Sequence, residues 1–243
     1  MLSENYDVFK KNNLDFYLKE LAKEYRKAVG KNIHAEVILV GGAAILANYG
    51  FRDMTTDIDA VIVASSAMKD AINRIGDRYG LPNGWLNMDF QKTSSYSVGL
   101  LQHSLYYKSF NQVLDVRVVT AEYLIAMKLR AYRPYKNDLS DIIGILYEHE
   151  KIGDPITFAR IDTAVTDLYG TWVGFPDGAK DFIESALLSV DYEKVYGELR
   201  KNEEETRSAL LDFQDQNPGD MKAESVDMVL RKLRDIKRQI GRH

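Results

Sequence analysis

Apolar positions recur along this chain with two different periods, and the change of period divides it. Leu14, Leu18, Leu21, Tyr25 and Val29 follow one another at three- and four-residue steps with Lys and Glu between them, which predicts an amphipathic helix. AEVILV (35–40) is a short continuous apolar run of the kind a buried strand makes. Gly41 and Gly42 break it, and AAILANYG reads as one or two helical turns closing on Gly50. DIDAVIV (57–63) is a second strand, after which Ser65 or Ser66 is expected to cap a helix over 68–79. LPNGWLN reads as a loop, the stretch from there to Phe110 carries no clear pattern, and QVLDVRVVT is a third strand.

From Thr120 onward the period is helical throughout. TAEYLIAMKLRAY and NDLSDIIGILYEHE are two capped apolar helices separated by Pro134. Further helical patterns cover 156–169, 178–188 and YEKVYGELRKNEEETRSALLDFQ. NPGD then makes a turn before a last, basic helix, ESVDMVLRKLRDIKRQIGRH. The chain therefore reads as an α/β half, 1–120, followed by an all-helical half, 121–243.

Composition narrows the function classes. The 243 residues, 45% hydrophobic and 28% charged, describe an ordinary globular protein with room for a substantial core. The absence of cysteine excludes disulfides and thiolate metal sites. His34, His103, His149 and His243 have no ligand spacing, which speaks against zinc. No run approaches the ~18 apolar residues of a membrane span, and MLSENYDVFKKNN lacks the apolar centre of a signal peptide, so a cytoplasmic protein without a membrane partner is expected. A net charge of -4 weighs against generic coating of nucleic acid, which depends on neutralising phosphates.

The candidate chemistry lies in GGAAILANYGFRDMTTDID (41–59). Residues two apart on a strand share a face, so Asp57 and Asp59 project together at the head of an apolar strand. Two carboxylates that close repel unless a cation lies between them, and hard divalent ions such as Mg²⁺ take oxygen ligands. The third strand offers Asp115 on the face that also carries Arg117, away from Leu114, Val116 and Val118. The Gly41-Gly42 turn at a helix N-terminus would let a triphosphate approach free backbone N–H groups. Together these are the parts of two-metal nucleotidyl transfer.

The order strand, Gly-Gly, short helix and Asp-x-Asp heading the next strand resembles the DNA polymerase β-type nucleotidyltransferase superfamily. Within it, VGGAAILANYGFRDMTTDIDAVI is similar to AbiEii-type toxin nucleotidyltransferases and related bacterial families. WLN (85–87) and LDVRVVTAEYLIAMKLRAYRPYKNDLSDIIGIL extend the likeness over about 37–146. The resemblance implies an α+β nucleotidyltransferase domain with a short mixed sheet, then a helical domain, and an active site in the cleft between them. It makes Asp57, Asp59 and Asp115 the catalytic metal ligands, and Gly41, Gly42, Arg52 and Lys128 the nucleotide-binding residues. Asp138 and Asp141 match a helical motif. It implies Mg²⁺ as cofactor and an NTP as substrate. Acceptors in such families include tRNA ends, protein side chains and small antibiotics, and AbiEii-type members are toxins beside a cognate antitoxin. A homo-oligomer is compatible with all of this. The sequence departs from much of the superfamily at Gly42, where a serine would offer its hydroxyl to a phosphate, and at Arg52, whose spacing to Asp57 is displaced by about one position.

Other readings stand beside these. Asp115 also fits a solvated edge-strand residue, Lys128 a buried helix with a snorkelling amine, and Asp138 with Asp141 an acidic helix start favoured by the dipole. Trp85 fits core packing better than a base-stacking platform. The basic end fits a solvated helix face better than an RNA or partner contact. The alternatives to a toxin-like transferase are an enzyme nucleotidylating a small antibiotic and a non-catalytic nucleotide- or partner-binding module that keeps the fold.

Overall fold

The computed structural model describes residues 9–216 and Val229. The helix expected from Leu14 onward is α1 (Lys11–Val29), which buries Leu14, Leu18, Leu21 and Tyr25 along one stripe. The continuous apolar run is β1 (Ala35–Leu39), and α2 (Gly41–Asn48) follows at once with Val40 as its N-cap. Next come β2 (Ile58–Val63) and α3 (Ala67–Tyr79). Ser66 does not cap α3: its backbone is already helical and its side chain makes no capping bond. The Ser65 hydroxyl lies instead 3.1 Å from the Tyr25 hydroxyl and ties the start of α3 to α1.

Between α3 and the QVLDVRVVT strand the structure contains two elements that the apolar pattern hides. LPNGWLN ends in the two-residue strand β3 (Leu86–Asn87), and the unpatterned stretch ends in β4 (Ser104–Phe110). β4 exposes Leu105 and Tyr106, so no apolar–polar alternation marks it. The expected third strand is β5 (Leu114–Val119). Strand order is β3-β2-β1-β5-β4, with β1 antiparallel to β2 and parallel to β5, β2 parallel to β3, and β4 antiparallel to β5. This is a mixed sheet in an α+β fold. Trp85 is 2% exposed, donates to the Ile72 carbonyl and stacks near Phe9, so it packs the core.

The helical half is α4 (Ala121–Ala131), α5 (Asp138–Lys151), α6 (Phe158–Tyr169), α7 (Ala179–Leu187) and α8 (Tyr192–Gln216). One apolar core runs from Phe9 to Ala186 and is continuous across Thr120. Among the described residues no helix is long and apolar enough to cross a membrane. The NPGD turn and the basic helix expected after it lie outside the described residues, Val229 excepted.

A buried acid fastens α1 to α3. Glu24, 5% exposed, accepts from Arg78 at 2.9 Å, Lys27 at 3.2 Å and Arg74 at 3.3 Å, and these bonds hold its carboxyl down at about 2. A depressed carboxyl stabilises the fold above its unfolded value and stops doing so as pH falls through the folded one. Glu24→Gln is therefore expected to cost about 1–2 kcal/mol at pH 7, its partners being partly solvated. In chemical denaturation the difference from wild type should shrink between pH 4.5 and about 2.

Candidate active site

The antiparallel register of β1 and β2 sets Leu39 opposite Ala60, and Val40 donates its N–H to the Asp59 carbonyl at 3.0 Å. Asp59 thus stands where β1 ends and α2 begins. Gly41, the first residue of α2, has φ +55°, and a β-carbon there would lie 3.6 Å from Asp59 Oδ2. The left-handed backbone and the missing side chain leave the turn open beside the carboxylate. The positive φ belongs to Gly41 and not to Gly42. Asp57 precedes β2 on a turn fixed by Thr55, whose hydroxyl donates to the Asp57 carbonyl at 3.1 Å. Asp57 and Asp59 are both half-buried. Burial, and then the charge of Asp57, push the Asp59 carboxyl up to about 6; Asp89 adds to the rise, while Arg133 and Lys136 oppose it.

Asp115 does not join them, which corrects the expected triad. Its face is the expected one, but β5 lies parallel to β1 with Asp115 beside Glu36, whereas Asp59 is level with Val40. Four residues along the strands, at about 3.3 Å each, and two strand spacings of about 4.8 Å separate the two aspartates. No single ion bridges such a gap. Arg117, on the same face, is held by Ser104 at 2.8 Å and lies 3.6 Å from Glu36, so it serves the sheet edge and not a phosphate.

The strand that does flank the aspartates is β3. Its parallel register sets Asn87 opposite Asp59, and Asn87 Oδ1 accepts from the Asp89 N–H at 2.8 Å. Asp89 is exposed and 2.7 Å from Lys92. Among the described residues no three His, Cys, Asp or Glu side chains are grouped to hold a metal ion by themselves.

Arg52 and Lys128, expected at the nucleotide, are paired within the protein. Lys128, 7% exposed, reaches Asp141 at 2.7 Å and Asp138 at 3.2 Å. Arg52 pairs with Asp141 at 2.5 Å, and Arg133 with Asp138 at 2.8 Å. Burial would raise the Asp138 carboxyl, but Lys128 and Arg133 overcome it and hold it at about 2. The result is one chain of charges, Arg52–Asp141–Lys128–Asp138–Arg133. Gly42 belongs to its near end: a β-carbon there would meet Arg52 and Thr55 side chains at 2.8 Å, so its open side is filled by the protein. Asp138 and Asp141 do stand in the first turn of α5, yet both are buried and ion-paired, which goes beyond a dipole role. Lys128 likewise does not snorkel to solvent.

A family model described as nucleotidyltransferase of unknown function (DUF6036) matches residues 17–167, well over half of the chain. The chain belongs to this family. No curated protein and no solved structure matches it.

For a member of this nucleotidyltransferase family the donor set can be weighed directly. Two half-buried carboxylates, one of them lifted by burial and then by the charge of the other, fit a hard divalent ion, which commonly takes one or two protein carboxylates and fills its other positions with water and phosphate oxygens. Sequence reading missed Arg133 and Lys136, the two exposed residues of the loop between α4 and α5, Asn87, at the end of a stretch read as loop, and Asp89, in the unpatterned stretch after it. Only the tertiary pairing of β3 with β2 and the fold-back of that loop bring them to Asp59. The match also takes in the glycine turn and this loop, while α7 and α8 lie beyond it.

Proposed function

We propose that this protein is a Mg²⁺-dependent nucleotidyltransferase of the polymerase β type, nearest in character to the AbiEii-type toxins, and that it moves an NMP from an NTP to an acceptor hydroxyl. The observation that carries the reading is the placement of Gly41, backbone open and φ positive, against the carboxylate of Asp59. Asp57 and Asp59 would hold the ion, and the open Gly41 backbone beside Asp59 would let the triphosphate approach. Lys136, and Arg133 with what its pair with Asp138 leaves exposed, would neutralise phosphate oxygens from the α4–α5 loop. Asn87 and Asp89 take the flanking position that Asp115 had been expected to fill. When bound, Mg²⁺ supplies charge neutralisation and lowers the pKa of an oxygen it coordinates. The acceptor hydroxyl releases its proton to solvent as its oxygen bonds the α-phosphorus and the bond to the departing pyrophosphate breaks. Fixing these groups in line is the protein's main contribution.

The acceptor proposed is RNA, tRNA ends above all, in a toxin–antitoxin setting with a cognate antitoxin as partner. The test is incubation with each α-labelled NTP, Mg²⁺ and total cell extract. Label is expected in the RNA fraction with wild type and not with Asp59→Asn. Label in a small-molecule fraction would turn the reading to an antibiotic-modifying enzyme. NTP bound with no fraction labelled would leave a binding module that keeps the fold.

A further inference from the structure

The helix α8 lies beyond the residues matched by the family; its N-terminal half packs Tyr192, Val195, Tyr196 and Leu199 against the core, while its C-terminal half is held largely by polar bonds. Of its residues only Glu203 and Leu210 are buried. Glu203, 2% exposed, accepts the N–H of Leu139 at 2.9 Å and of Ser140 at 3.1 Å, and the Ser140 hydroxyl at 2.5 Å. These amides belong to the first turn of α5, where orphan N–H groups need acceptors and where Asp138 begins the helix. Arg207 donates to the Tyr135 carbonyl at 3.2 Å and to Asn137 Oδ1 at 2.7 Å. Tyr196 donates to the Phe51 carbonyl at 3.2 Å, just before Arg52. Leu210 packs with Tyr135. Positions 196, 203, 207 and 210 are spaced by seven, four and three, so they form one stripe along α8.

The bonds of Glu203 and Arg207 end on the segment that carries Arg133 and Lys136, and that of Tyr196 ends beside Arg52, at the far end of the same buried chain of charges. Tyr135 and Asn137 flank Lys136. Leu139 and Ser140 follow Asp138, which accepts from Arg133 Nε at 2.8 Å and from the Arg133 backbone N–H at 3.1 Å. Phe51 precedes Arg52. We propose that α8 is a strap whose Glu203 and Arg207 are positioning residues: they hold the loop 132–137 and the start of α5 so that Arg133 and Lys136 face the triphosphate beside Asp59. Neither touches the nucleotide. Buried hydrogen bonds to a carboxylate are directional, so they fix the loop's geometry where apolar contact would only cover it. The proposal rests on the nucleotidyltransferase reading of the site.

The experiment has two arms, run on the full chain at a temperature where circular dichroism shows each variant folded. Amide hydrogen exchange without ligand reads the brace, and calorimetry with ATP, CTP, GTP or UTP in Mg²⁺ reads its consequence. Glu203→Ala is expected to speed exchange across 132–141 and weaken NTP binding on the order of tenfold, the equivalent of losing about 1.4 kcal/mol. Glu203→Gln keeps one acceptor oxygen for the two amides and offers an N–H to the Ser140 hydroxyl, so it should restore most of both. Should Glu203→Ala fail to fold, Arg207→Ala carries the same expectation for 132–137. Unchanged exchange in 132–141 overturns the strap, and faster exchange with unchanged NTP affinity overturns the positioning role. If wild type binds none of the four nucleotides, it is the nucleotide reading that fails, and the exchange arm alone then decides the strap.

Discussion

Replacing Lys128 by alanine is expected to remove about 3–5 kcal/mol of stability, the usual loss when one partner of a buried ion pair is taken away. Lys128 is 7% exposed and stands between Asp138 and Asp141, which are 1% and 2% exposed. Without its amine, Asp141 keeps Arg52 and Asp138 keeps Arg133, but each loses a cation inside the protein. Lys128→Met should cost nearly as much, because it restores the volume but not the hydrogen-bonded amine that Asp138 and Asp141 share. Since a domain of this size is commonly stable by only 5–15 kcal/mol, a large fraction of the total is at stake. Urea denaturation at pH 7 reads the effect directly. A methionine variant as stable as wild type would show that the amine is not structural, and Lys128 would return as a nucleotide ligand.

Asp59→Asn should stop nucleotide transfer while making the metal-free protein more stable. If Asp59 holds the ion as proposed, its loss removes several kcal/mol of transition-state stabilisation, about a thousandfold or more in rate. The stability effect has the opposite sign. Burial and Asp57 raise the Asp59 carboxyl from 3.8 to about 6 in the fold, so ionising it costs stability. That cost is absent below 3.8, grows through the interval and is complete above about 6. In metal-free buffer the asparagine variant is therefore expected to gain about 1–2 kcal/mol at pH 8, allowing for partial solvation, and nothing near pH 3.5. Parallel melts at the two pH values check it. An equal shift at both would mean that asparagine acts through packing and not through relief of repulsion.

The carboxylate pair and the glycine turn could be read from the chain because each depends on local rules. Period two in DIDAVIV draws attention to Asp57 and Asp59 together, although β2 begins only at Ile58 and a turn places Asp57, and a glycine pair after an apolar run marks a strand end wherever it occurs. The helices from α4 to α8 were legible for the same reason: each carries enough turns for its apolar period to show. Asp115 marks the limit. Its parity, and hence its face, follows from LDVRVV, but its level in the sheet depends on which residue of β1 it lies beside, and no local pattern encodes a parallel register between distant strands. β3 has two residues and β4 exposes its apolar side chains, so neither leaves a period to detect. Arg133 and Lys136 stood in plain view in AYRPYKN, yet only the fold-back between α4 and α5 gives them a carboxylate to face. Lys128, Asp138 and Asp141 were legible as a group and misassigned in part, because burial turns charges that could meet a ligand into charges that meet one another.

The central claim, that Asp57 and Asp59 hold a divalent ion against the phosphates of an NTP, is tested most directly by titration calorimetry of wild type and Asp57→Asn with and without Mg²⁺. Wild type should bind the nucleotide at least about tenfold more tightly with Mg²⁺ than without it, a difference of about 1.4 kcal/mol, and Asp57→Asn should show no such difference. Equal affinity in wild type with and without the ion would contradict the claim.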